Sequence, residues 1–98
     1  MLADGVGGGK WGNRLSDFGV EVIQEMNRLG MMVSASHLCA NGVLHAAQVS
    51  KFPIVSTHQN INPFLKSQLE LMPEEVKAIA STGGIIGAAI YLGRVHAV

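Results

Sequence analysis

From Asp17 onward the apolar residues Phe18, Val22, Met26 and Leu29 recur at spacings of four, four and three, with Glu21, Glu25 and Arg28 on another side. That period predicts a helix with one apolar face. Ser16 can accept a bond from a first-turn N–H, Asp17 places negative charge at the positive end of the helix dipole, and Gly30 suits a left-handed stop. The run Met31–Ser36 is then short, apolar and ended by small polar residues, which predicts a strand buried on both faces, with His37 at its end. Asn41 is placed to cap a second helix through Val43, Leu44, Ala46, Ala47 and Val49, and Pro53–Thr57 reads as a second buried strand ending at His58. After a long loop from Gln59 to Met72, Pro73 at a first helical position and Glu74 and Glu75 in the first turn start a third helix carrying Val76, Ile79 and Ala80. Gly84–Tyr91 completes the pattern as a third strand whose glycines and alanines permit close backbone approach.

Helices alternating with buried strands predict α/β architecture with parallel strands joined by right-handed crossovers. Strands of this kind need cover on two faces, and 98 residues supply helices for one. The expectation is that the chain either self-associates through its incomplete sheet or forms about three units of a (β/α)₈ TIM barrel, which takes roughly 250 residues. Residues 1–98 thus read as a single partial domain, opening on a Gly-rich loop over residues 1–15.

Composition narrows the function. Hydrophobic residues make up 48% and charged residues 14%, about half the usual charged share of roughly 25%, so the chain is not a disordered one. Seven Lys plus Arg balance seven Asp plus Glu, which gives neither a nucleic-acid nor an anionic-membrane footprint. The longest apolar stretch, from Gly83 to Gly93, is shorter than the roughly 18 residues of a membrane span. Cys39 is the single cysteine, so no intrachain disulfide and no Cys-based zinc site is expected. The glycine cluster ahead of Lys10 has no Ser or Thr after the Lys and no strand before it, so it fails as a phosphate-binding loop.

The candidate chemistry lies at the strand ends, where parallel α/β folds place their sites. His37 and His58 end successive strands, and strands about 4.8 Å apart let two such imidazoles reach one metal ion. Either histidine alone would more commonly be a hydrogen-bonded or exposed residue, as His45 in mid-helix and His96 near the C-terminus are expected to be. Ser36 and Thr57, each one residue before a histidine, are candidate outer hydrogen-bond partners, and Tyr91 at the third strand's end is a candidate pocket residue. A hydrolytic zinc site also needs a third ligand and often a bridging carboxylate. Of Asp4, Asp17, Glu21, Glu25, Glu70, Glu74 and Glu75, only Glu70 falls in a loop on the candidate side.

The segment from Gly19 to His37 with Glu-Met-Asn-Arg-Leu-Gly-Met-Met-Val and then Ser-His, Val49-Ser50-Lys51-x-Pro53, the strand ending in His58, and Lys77-Ala78-Ile79-Ala80-x-x-Gly83-Gly84-Ile85-Ile86-Gly87 together resemble the membrane (renal-type) dipeptidases of peptidase family M19. The likeness covers about residues 13–92. It implies a (β/α)₈ barrel that hydrolyses dipeptides with two zinc ions, one of them held by the histidines matching His37 and His58. In that family a His-x-Asp pair near the N-terminus holds the other zinc and a glutamate ahead of this region bridges the two. Neither motif occurs here. The chain therefore reads as a central segment with at most one partial zinc site, inactive alone, in keeping with a truncated or split gene product. In the complete enzyme, zinc would lower the pKa of bound water to about 7 and polarise the scissile carbonyl.

Departures from the family pattern are local. Ser34 stands where Asp often precedes Ser-His, Gln59 follows His58 in place of Ser, and Leu69 and Glu70 stand where an Arg-Asn pair would receive the substrate carboxylate. Lys66 could replace that charge without the bidentate geometry of arginine. A non-catalytic homologue serving as a binding or assembly module is the alternative these departures leave open.

Overall fold

Ser16 starts the first helix with its own side chain: Oγ accepts the Gly19 N–H at 2.9 Å, and helix α1 runs Asp17–Leu29 to Gly30, whose φ of 75° closes it. The computed structural model describes residues 1–5, 11–58 and 71–87. Within these, α1 is followed by strand β1 (Val33–Ser34), helix α2 (Ala40–Val49), strand β2 (Ile54–Val55) and helix α3 (Pro73–Ser81). The predicted helix–strand alternation is observed from the first helix through the third.

β1 and β2 pair in parallel, Val33 beside Ile54 and Ser34 beside Val55, with α2 as the connection. Val55 turns its carbonyl to the Ala35 N–H at 2.7 Å, whereas Ser56 turns both backbone groups the other way, donating to Ile85 at 3.1 Å and accepting from Gly87 at 2.6 Å. Ser56 and Ile86 form a parallel bridge, so the segment expected as the third strand begins beside β2; residues 88–91 of that expectation lie outside the described residues. Its glycines allow this approach. A Cβ on Gly84 would lie 1.6 Å from the Ile54 carbonyl oxygen, and one on Gly87 would lie 2.4 Å from that of Thr57.

The core gathers on one face of the strands. Val33, Ala35 and Ile54 pack with Ile23 of α1, Val43 and Ala46 of α2, Ile79 of α3 and Leu71. In the first strand region Ser34 is exposed between buried Val33 and Ala35, and Met31 and Met32 ahead of them are exposed as well. The expectation of burial on both faces is corrected accordingly, because the helices cover one side only among the described residues.

Three other expectations shift. The helix α1 buries Gly19 and Ile23 and leaves Phe18 and Leu29 exposed, since the face turned to the core is set by the close approach of Gly19 to the Leu2 carbonyl. In α3, Ala80 is exposed, and Glu75 is buried with its carboxylate accepting the Met72 N–H at 3.1 Å. The N-cap of α2 is Cys39, not Asn41. The Asn41 side chain instead donates to the Gly12 carbonyl at 2.9 Å, fastening the segment before α1 to the start of α2. Among the described residues no helix is long and apolar enough to cross a membrane.

Candidate metal centre

A register of 21 positions sets this site. Val33 beside Ile54 and Ser34 beside Val55 carry forward to Ser36 beside Thr57 and His37 beside His58, so two hydroxyl-histidine dipeptides leave adjacent parallel strands together. His37 turns there with φ 66°, a left-handed conformation in a residue other than glycine. Such backbone costs of order 1–3 kcal/mol and clusters at functional sites. No local cue in the sequence announces it.

The rings converge through one nitrogen each. Nε2 of His37 lies 2.7 Å from Nε2 of His58, with ring centroids 4.7 Å apart and planes tilted by 55°. On its other side His58 is held: Nδ1 lies 2.7 Å from Thr57 Oγ1, which lies 2.9 Å from Ser36 Oγ. The Thr57 N–H also donates to Ser36 Oγ at 2.7 Å. The hydroxyls thus act in series. Ser36 meets Thr57 across the strands, and Thr57 meets His58, whereas Ser36 has no bond to His37 among the described residues.

Both histidines are exposed, so an ion can reach them. Two imidazole nitrogens facing one another, one ring anchored from behind, are donors of the kind a metal ion takes, and a four-coordinate sphere would need two more. No group of three His, Cys, Asp or Glu gathers for a metal among the described residues. Asp4 is committed elsewhere, its Oδ2 accepting from the Asn13 N–H at 3.0 Å and from Asn13 Nδ2 at 2.9 Å.

His45 lies apart from the centre. Its Nδ1 accepts the Leu15 N–H at 3.1 Å, tying α2 to the approach to α1, and burial, with the charge of Arg14 second, lowers its pKa. Buried Cys39 donates to the Asn13 carbonyl at 3.2 Å. Gln59, Lys66, Leu69, Glu70, Tyr91 and His96 lie outside the described residues, as do residues 6–10 of the glycine cluster.

The family model described as membrane dipeptidase, peptidase family M19, matches residues 3–96. Over 89 residues the chain is 30% identical to an uncharacterized dipeptidase of Schizosaccharomyces pombe, covering 91% of this chain and 21% of that protein. It is 30% identical over 79 residues to dipeptidase 3 of Mus musculus, covering 81% of this chain and 16% of that one. A solved structure, the metallo peptidase from Rhodobacter sphaeroides liganded with a phosphinate mimic of the dipeptide L-Ala-D-Ala, superposes with a TM-score of 0.75 at 30% identity, over 81% of this chain and 22% of that one. The chain therefore spans about a fifth of the length of these relatives.

Proposed function

The chain belongs to the membrane dipeptidase family, peptidase family M19, and from that premise we propose that it forms about three βα units of a (β/α)₈ barrel and contributes His37 and His58 to a zinc centre for dipeptide hydrolysis. The observation that carries this reading is the 2.7 Å approach of the two Nε2 atoms at the ends of adjacent parallel strands. In a barrel these ends form the rim where βα loops build the site.

A zinc ion bound there supplies Lewis-acid activation of water and of the scissile carbonyl. The residues of this chain hold and orient: His37 and His58 present nitrogen donors, brought side by side by the pairing of β1 with β2 and by the turn at His37. The other ligands and the bridging carboxylate come from outside the described residues. A dipeptide substrate is supported by the dipeptide mimic in the Rhodobacter sphaeroides metallo peptidase. Taken alone, the chain binds zinc through two histidines and does not turn over dipeptides.

Titration calorimetry with zinc, run beside a dipeptide hydrolysis assay, tests this. The expected result is weak uptake that His37→Ala and His58→Ala each abolish, with no hydrolysis. Uptake unchanged in both variants overturns the ligand assignment, and hydrolysis by the purified chain overturns its inactivity.

A further inference from the structure

We propose that Thr57 and Ser36 form a two-hydroxyl relay that accepts a hydrogen bond from the Nδ1–H of His58 whenever Nε2 of that ring is committed to a metal ion, which makes Thr57 a positioning residue; the proposal rests on reading His37 and His58 as ligands. Four polar groups stand in a row: His37 Nε2, the His58 ring, Thr57 Oγ1 and Ser36 Oγ, joined by contacts of 2.7, 2.7 and 2.9 Å. Each contact needs one hydrogen, and each neutral ring or hydroxyl has one to give. Once the direction of one link is set, every other link must follow it.

Metal binding sets that direction. A neutral imidazole that gives its Nε2 lone pair to an ion carries its proton on Nδ1, and the partner of the second nitrogen determines that tautomer. His58 Nδ1–H then donates to Thr57 Oγ1, and the Thr57 hydroxyl turns its hydrogen to Ser36 Oγ. Ser36 can receive it because its oxygen has two lone pairs, one of them taken by the Thr57 N–H at 2.7 Å. That backbone bond also pins the two hydroxyls together, so the relay is built into the pairing of the strand ends. With no metal bound, the Nε2 to Nε2 contact allows the opposite direction, in which His58 donates to His37 and Thr57 donates to His58. Uptake of the ion therefore removes one of two hydrogen-bond directions and aligns the His58 ring. A valine at position 57 would keep the shape of the side chain but leave the His58 Nδ1–H to water.

The test is zinc titration of the full chain with histidine ring nitrogens labelled with ¹⁵N. In the loaded chain His58 is expected with Nδ1 protonated and Nε2 shifted by the ion. Thr57→Val is expected to weaken zinc binding about 10-fold, the low end for loss of an outer partner, because exposed His58 can still find water. Thr57→Ser is expected to restore binding to within about twofold, and Ser36→Ala to cost less than Thr57→Val because Ser36 acts through Thr57. Wild-type zinc affinity in a folded Thr57→Val chain, with His58 still a ligand, overturns the relay and leaves the ligand assignment standing. Zinc uptake that moves neither ring overturns both. A loss in Thr57→Ser equal to that in Thr57→Val also overturns the relay, since the hydroxyl would then be irrelevant.

Discussion

His37 reaches His58 only by turning its backbone to a φ of 66°, which brings the two Nε2 atoms to 2.7 Å. The left-handed turn is what lets a side chain from the end of one strand lean across to the next. It carries a backbone penalty that glycine escapes.

His37→Gly and His37→Ala both delete the ring, so comparing them isolates that penalty. Glycine is expected to be the more stable variant by about 1 kcal/mol in urea denaturation. Equal stabilities would show that the turn relaxes once the imidazole is gone.

The residues that let the third segment close on β2 predict a second effect. Gly84→Ala sets a Cβ against the Ile54 carbonyl, a backbone group with no freedom to yield, and Gly87→Ala does the same at Thr57. Overpacking of this kind costs about 1–3 kcal/mol. Both variants are expected to melt earlier, and Gly87→Ala alone is expected also to weaken zinc uptake, since it displaces the residue that touches His58.

Ser16 both accepts the Gly19 N–H and donates to the Met1 carbonyl at 2.6 Å. Ser16→Ala loses both bonds and is expected to lower stability by about 1 kcal/mol. Ser16→Asp keeps the acceptor and is expected to recover part of the loss in the same denaturation series.

Local signals carried much of this structure. Ser16, Gly30 and Pro73 mark their helix ends by chemistry confined to one turn, and α1 and α3 begin where that chemistry places them. Features set by distant contacts were not legible. Asn41 is a good capping residue in isolation, but its amide is used on Gly12, so the cap falls to Cys39. Periodicity marks an apolar stripe on α1 without saying which edge meets the core, and the approach of Gly19 to Leu2 turns Phe18 outward. At the candidate site, placing His37 and His58 at successive strand ends required only pattern. The order of the hydroxyls required the 21-residue register, which no single segment contains. The turn at His37 has no residue signature, and Tyr91 lies outside the described residues.

His45 gives a pH dependence whose sign follows from its setting. Burial, then the charge of Arg14, lowers its pKa in the folded chain, while in the unfolded chain it returns to the ordinary value of about 6.5. The unfolded state therefore binds the proton more readily, and stability falls as pH drops below that value and toward the folded one. Above about 6.5 both states hold the ring neutral and this contribution is flat. The neutral form is also the one that works: protonating Nδ1 would remove the acceptor for the Leu15 N–H at 3.1 Å. His45→Asn offers an amide oxygen at similar reach and does not titrate. Chemical denaturation across neutral to mildly acidic pH is expected to show wild type losing stability faster than His45→Asn. Because His37 and His58 are shared by both proteins, the difference between the two curves belongs to position 45, and parallel curves would remove His45 as its source.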